Sequence, residues 1–441
     1  MTEIDTGRTV TYAELNALAD AAAGRLRTRG VGSGSVVEVR LANSIDFAAA
    51  LLAVARTGAA AALIGPSLLD AEASRLSALA GITHRVEPAD LVPGSAQPWT
   101  AFDPDAVAVI PFSSGTTGMP KAVELTHRSI TANAAQFNAA LAASSIGEGT
   151  RVAAPLPFSH IYGLNTLLLS SLAAGRHVFT AARFNLAEFA RAHRDHAIEL
   201  SYIAPPIALA LANSSNVDPA DFASTARMVC GAAPLSESLA RRVEDRLGVV
   251  MLQGYGTTES SPVTHVGIAG RTNPGTIGAA LPNTQFRVVD LDTGAETPDG
   301  QPGELQVRGP QVMRGYLRDP GATRAAITDG WLRTGDIARV NPDGTVTVVD
   351  RAKDVFKYRG FQIAPAELEA LLLTHPQISD VAVAERGGVP KAFVVKQGRL
   401  EEADVIAWVA ARVTAYKKVR AVAFVDAIPR NAAGKILRKD L

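Results

Sequence analysis

The sequence predicts an α/β fold, with a large N-terminal region of several subdomains and a small α+β domain at the C-terminal end. Three observations point there. Short apolar runs alternate with helical patterns that end at glycine, as in layered strands and helices. A length of 441 residues with 47% hydrophobic content is too large for one compact core and sufficient for two or three. A polar stretch, Ser113-Ser114-Gly115-Thr116-Thr117-Gly118-Met119-Pro120-Lys121, directly follows an apolar run from Ala106 to Phe112 that reads as a buried strand.

In chain order, Thr11 and Glu14 form a capping-box pattern. Leu15, Leu18, Ala22 and Leu26 mark the apolar face of the helix that follows, which ends near Gly30. Val36 to Leu41 reads as a strand, Asn43 or Ser44 caps a helix to about Arg56, and Ala59 to Ile64 reads as a second strand. Gly30, Gly32 and Gly34 lack the spacing of a dinucleotide fingerprint and read as a helix-to-strand turn. Residues 66–104 are thin in strand signals and punctuated by Pro88, Pro93, Pro98 and Pro104. A strand after Lys121 and a helix from His127 to about Ser144 follow. Leu200–Ala204 and Met228–Cys230 read as strands, and Gly231-Ala232-Ala233-Pro234 opens a helix that closes at Gly248. Further on, 303–309 is an alternating strand, and Asn341-Pro342-Asp343-Gly344 a turn between strands.

Composition narrows the function. Formal net charge is zero, which gives no electrostatic footprint for nucleic acid or an acidic membrane. One cysteine, Cys230, excludes an internal disulfide and suits a reducing cytoplasm. Met1 to Val10 is polar, without a signal-peptide core, and the apolar region Phe47–Gly65 is broken by Arg56 and Thr57, so no membrane span is expected. His193 and His196 sit three apart on a helix with no third ligand indicated, and read as a solvated face.

The polar stretch combines four hydroxyls, two glycines and a lysine in nine residues. Glycines let backbone N–H groups approach an anion, hydroxyls add donors and lysine adds charge, which is the chemistry of a polyphosphate grip. The Walker A spacing is absent. A second stretch, Gln253-Gly254-Tyr255-Gly256-Thr257-Thr258-Glu259-Ser260-Ser261-Pro262-Val263, pairs glycines suited to close approach of a flat base with an aromatic ring to stack on it. In it, Thr258 can bond a phosphate oxygen and Glu259 can offer a hard oxygen to Mg²⁺. Asp336, after Thr334 and Gly335, is suited to accept two ribose hydroxyls. His160 and Tyr162 lie in a site-like loop between Pro157 and Gly163.

Together these segments resemble the adenylate-forming enzymes, namely the acyl- and aryl-CoA ligases, peptide-synthetase adenylation domains and luciferases. Lys357-Tyr-Arg-Gly-Phe-Gln362 and Ala364-Pro-Ala-Glu367 place the likeness closest to the 4-coumarate–CoA ligase branch. The resemblance covers nearly the whole chain and implies a role for each motif. Ser113 to Lys121 is the phosphate loop. His160 flanks the carboxylate and the mouth of the thiol tunnel, and Tyr162 lines the acyl pocket. Gly231, Ala232 and Ala233 lie against adenine, with Gln253 to Thr257 completing that side. Ser260, Pro262 and Val263 face the substrate. Asp336 and Arg351 hold the ribose, and Asp350 is the hinge on which the C-terminal domain, 350–441, swings against 1–349. Lys357 and Gln362 help to form the adenylate, Gly360 leaves room for the CoA arm, and Lys435 is the mobile catalytic lysine.

Two departures stand out against the resemblance. Residues 66–104 are shorter than expected, and between Val383 and Phe393 a longer acidic loop is missing. The implied reaction uses ATP and Mg²⁺ to convert an aryl-propenoic or fatty carboxylate to an acyl-adenylate, which CoA captures as a thioester. Transfer to an amine or a carrier protein stays open, as does the chemistry of 4-coumarate-ligase-like diazotases, which activate nitrite against an aryl amine. A non-catalytic nucleotide-binding homologue is the reading from another class, and intact Glu259, Asp336 and Lys435 argue against it.

Overall fold

The computed structural model describes residues 1–95, 103–113, 120–352, 354, 356–358, 361–430 and 436–441, without the side chains of Lys357, Phe361 and Gln362. The helix Tyr12–Thr28 starts at the foreseen capping box: Thr11 accepts from the Glu14 N–H, and Glu14 accepts from the Thr11 N–H at 2.7 Å. Its face of Leu15, Ala19, Ala22 and Leu26 is buried. It packs on the helix Ile45–Thr57, which Ser44 caps and Gly58, at φ +77°, terminates.

These helices cover a first sheet. In it Val36–Val39, Ala60–Leu63 and Val107–Ile110 run parallel, and Lys121–Thr126 and Gly315–Tyr316 extend it antiparallel. The described residues of the segment 66–104 supply the two-residue strand His84–Arg85 to it, together with an unforeseen helix, Asp70–Ala80. A second sheet orders His177–Thr180, Arg151–Ala153, Leu200–Ile203, Arg227–Cys230 and Val250–Gly256 in parallel, then Val263–Val266 antiparallel. Leu200, Tyr202, Ile203, Met228 and Val229 are wholly buried, as central parallel strands covered on both faces must be. The helix expected from Gly231 begins later, at Glu237–Leu247. Ser236 caps it, and the turn before it stays open to the site.

A third, antiparallel sheet runs Gln285–Val289, Gly303–Arg308, Trp331–Val340 and Val346–Arg351, so Asp350 and Arg351 are the last residues of its last strand. Beyond them the chain forms a smaller domain. A hairpin, Phe356–Tyr358 with Phe361–Ile363, leads into the helix Pro365–Leu372. The sheet Ile378–Arg386, Val389–Lys396 and Ala421–Phe424 packs on that helix around Leu368, Leu372, Val381, Val394 and Val405. Where the acidic loop was missed, the chain turns tightly through Gly387 and Gly388, at φ +63° and +77°. Positive φ at both central residues suits a two-residue hairpin, and glycine takes it without strain. Among the described residues no helix is long and apolar enough to cross a membrane.

Candidate active site

The stem of the loop expected to grip phosphate is a short antiparallel pair that sets Ser113 opposite Lys121. Ser114, Gly115, Thr116, Thr117 and Gly118 lie outside the described residues. The Ser113 hydroxyl is buried with no hydrogen-bond partner among the described residues. Lys121 Nζ stands 4.6 Å over the centre of the Tyr316 ring, and the Tyr316 hydroxyl donates to Glu259 Oε1 at 2.9 Å. Burial and the Glu259 charge push the Tyr316 hydroxyl well up, so it remains a donor. Tyr316 thus joins the loop stem to the carboxylate singled out for Mg²⁺. Sequence reasoning gave it no role, because a two-residue strand carries no periodicity.

The strand Val250–Gly256 delivers the next group. The Gln253 side chain is buried and fully engaged: it accepts from Leu235 N at 2.9 Å and donates to the carbonyls of Pro274 and Thr276. It braces the Gly231–Leu235 turn. Gly254 meets only ordinary contact, but a Cβ on Gly256 would fall 1.7 Å from the Pro262 carbonyl oxygen, so only glycine fits there. Thr257 N donates to that oxygen at 3.1 Å, and Thr258 and Glu259 follow, both half-buried, in a single 3-10 turn. The Ser260 hydroxyl is buried and donates to Pro262 O at 2.6 Å, so it shapes this loop. Asn133 grips Val263 through both its N–H and its carbonyl, at 3.1 and 2.6 Å.

Tyr255 reaches across to the third sheet. Its hydroxyl donates to Asp336 Oδ2 at 2.6 Å, and Arg351 Nε meets Asp336 Oδ1 at 2.9 Å. Asp336 and Arg351 are cross-strand neighbours in register, and Asp336 is 3% exposed. Two oxygens are thereby held in one orientation, with a cation beside them. Burial and the Asp336 charge raise the Tyr255 hydroxyl, which stays protonated. His265, buried and 6.1 Å from Tyr255 between ring centres, backs that ring edge-on.

The opposite wall begins at the loop before His160. Asn43, weighed above as a cap, instead accepts from Phe158 N at 2.7 Å and donates to Leu156 O at 2.8 Å. His160 is half-buried, and desolvation pushes its imidazole down to about 4, so it is neutral near pH 7. Its Nδ1 accepts from Tyr162 N at 3.3 Å, which leaves Nε2 to carry the proton. The next segment, Tyr162–Leu169, is a π-helix, a form often found at functional sites. Tyr162 donates to Val229 O at 3.1 Å, and its ring lies 3.1 Å from where a Cβ on Gly231 would be. Ala232, in the left-handed region at φ +73°, and Ala233 continue the wall. A Cβ on Gly163 would fall 2.0 Å from Pro157 O. Gly163→Ala should therefore cost about 3 kcal/mol of stability or prevent folding, measured by chemical denaturation.

His193 corrects an expectation. It is fully buried, with Nδ1 against Phe189 O at 2.7 Å, Nε2 against Ser201 Oγ and its ring against Phe222. Its helix turns the Phe189 and His193 pair, four apart, into the core, so only part of that face is solvated. No group of three His, Cys, Asp or Glu side chains able to hold a metal occurs among the described residues.

Ala232, Ala233, Tyr255, Asp336 and Arg351 line a cleft of about 1590 Å³ between the large and small domains, with Asp350 and Arg438 on its far side. Asp350 accepts from Ala366 N at 2.8 Å, so its carboxylate caps the helix Pro365–Leu372 of the small domain. Desolvation raises its carboxyl to about 6. Between about pH 4 and 6 the folded state then binds this proton more firmly than the unfolded chain, so the stability contributed by Asp350 falls as pH rises through that window. Asp350→Asn should remove that slope, read from melting temperatures between pH 4 and 7. Lys357 and Gln362 stand on the hairpin after Arg351, their side chains outside the described ones, and Gly360 and Lys435 also lie outside the described residues.

Comparison with known proteins gives the family. The AMP-binding enzyme family matches residues 1–92 and 83–317, and the AMP-binding enzyme C-terminal domain matches 367–435. The chain is 38% identical to 4-coumarate–CoA ligase 3 of Oryza sativa subsp. japonica, over 99% of this chain and 87% of the rice protein. Its fold superposes on O-succinylbenzoate coenzyme A synthetase of Bacillus subtilis, solved with ATP and magnesium, with TM-score 0.88 and 26% identity over 100% and 96% of the two chains. The amide bond synthetase of Marinactinospora thermotolerans also matches, with TM-score 0.88 and 26% identity over 100% and 95%. The chain belongs to the AMP-binding enzyme family and is an AMP-forming ligase of the 4-coumarate–CoA ligase-like branch.

Proposed function

We propose that this ligase activates an aryl-propenoic acid, or a fatty acid taken by the same pocket, with ATP and passes the acyl group to CoA. The observation that carries it is the cluster of Tyr255, Asp336 and Arg351 on one cleft, suited to a ribose, together with the contacts that join Glu259, Tyr316 and Lys121 at the stem of the hydroxyl- and glycine-rich loop. The carboxylate attacks the α-phosphate in line, pyrophosphate leaves, and the thiol then displaces AMP. Catalysis rests on positioning and charge neutralisation, with Lys435 on the α-phosphate. Neutral His160 flanks the carboxylate without adding charge, and Tyr162, Pro262 and Val263 favour a flat acyl group. Glu259 would hold Mg²⁺ directly or through water, and the buried hydroxyl of Ser113, which has no partner among the described residues and lies on the strand beside the Glu259 turn, suits a phosphate oxygen. Bound magnesium would screen the polyphosphate charge. In this reading the small domain, 350–441, turns at Asp350 between the two half-reactions.

The likeness to an amide bond synthetase favours a second reading, capture of the adenylate by an amine. Incubation with ATP, Mg²⁺ and CoA over a pool of aryl and fatty acids, followed by mass spectrometry, tests both. A CoA thioester names the acid. AMP without thioester moves the search to amines and carrier proteins. No turnover contradicts carboxylate activation and leaves nitrite with an aminoaryl acid.

A further inference from the structure

We propose that Glu369 and Arg438, with Asp380 and Arg430, are positioning residues for adenylate formation that hold both ends of the segment bearing Lys435. This rests on the reading of Lys435 given above. The last strand-like contact of the chain is an antiparallel bridge between Arg430 and Ile436, closed by Leu437 N donating to Pro429 O at 2.8 Å. Lys435 directly precedes Ile436. On one side of this bridge Arg430 Nη2 pairs with Asp380 Oδ1 at 2.8 Å. On the other, Arg438 Nη2 meets both oxygens of Glu369, at 2.7 and 2.9 Å.

The Glu369 pair is not a surface decoration. Its side chains are 10% and 17% exposed, and Glu369 also accepts from Val383 N at 2.7 Å. Arg386 donates to the Arg438 carbonyl at 2.6 Å, which fixes the tail from its far side. Glu369, Asp380, Arg430, Ile436 and Arg438 all line the cleft that Asp336 and Arg351 face. Removing one member of a buried pair strands the other charge, so the tail end would shift and not simply loosen. A role confined to domain stability would not require both anchors to bracket one lysine.

The charges facing Glu369 are Arg438 from the tail, Arg430 before the bridge and Asp350 from the hinge strand. Burial dominates and raises its carboxyl to about 7, with the two arginines opposing and Asp350 adding. Protonation would weaken its hold on Arg438. Adenylate formation should therefore fall as pH drops through about 7.

The test is the full-length Glu369→Gln protein beside the wild type, with 4-coumarate and octanoate as acids. We expect adenylate formation, read by pyrophosphate exchange, to fall at least about tenfold in kcat at pH 8, with KM for ATP within about twofold. Thioester formation from supplied coumaroyl-adenylate should stay within about twofold, and the limb near pH 7 should vanish. Amide exchange at Leu437 should quicken, and Asp380→Asn should reproduce the split. An equal fall in both half-reactions, or unchanged pyrophosphate exchange with faster Leu437 exchange, overturns the positioning role. Absence of pyrophosphate exchange in the wild type, with Leu437 still responding to Glu369→Gln, overturns instead the adenylation reading on which this role depends.

Discussion

Lys435→Ala should lower adenylate formation about a thousandfold while ATP binding stays measurable by calorimetry. Loss of one preorganised group from a developing oxyanion costs about 10²–10³ in rate, and loss of a full charge on a transferring phosphoryl group costs more. In the function proposed above, ground-state binding depends on other groups: the Tyr255, Asp336 and Arg351 cluster, and Glu259 with Lys121, all in the large domain or at its edge. Lys435 belongs to the tail of the small domain, whose Arg438 lines the same cleft. Transfer of thiol to a supplied acyl-adenylate should therefore survive the substitution. A variant with undiminished pyrophosphate exchange would remove Lys435 from the mechanism.

Asp336→Ala should weaken ATP binding by about tenfold to a hundredfold. Hydrogen bonds to a charged group contribute about 1.5–3 kcal/mol, and this carboxylate is buried and oriented before ligand arrives. Its loss also frees the Tyr255 hydroxyl and leaves the Arg351 guanidinium, 36% exposed, without the partner at 2.9 Å. The effect should appear in KM for ATP and in the Kd from titration, with a smaller change in kcat. Asp336→Asn should lie between the two, since the amide oxygen can still accept one bond. Unchanged KM in both variants would show that the ribose is held elsewhere.

Much of this was legible because it is local chemistry. Thr11 with Glu14, and Ser44, act within a few residues of their own helices. At Gly256 the close approach is that of the Pro262 carbonyl a few positions along the same loop, a reason the sequence reading, which expected a flat base, did not give. What stayed hidden acts across the chain. Asn43 reads as a cap by composition, yet its amide is used 113 and 115 positions away, where it sets the loop before His160. Tyr316 finds Glu259 57 positions back, and Arg438 finds Glu369 at a separation of 69. His193 looked polar in one dimension and is core in three, because Phe189 and Phe222 close over it. Helix type was equally out of reach, since no local pattern marks the π-turns of Tyr162–Leu169.

The central claim is that a substrate carboxylate oxygen attacks the α-phosphate of ATP. The most direct measurement is the mass of the AMP released when the acid found by the product screen is supplied with ¹⁸O in its carboxylate. Attack by that oxygen followed by acyl transfer leaves the label on phosphate, so the account predicts AMP heavier by one ¹⁸O. Unlabelled AMP, formed with the same stoichiometry as product, would contradict it.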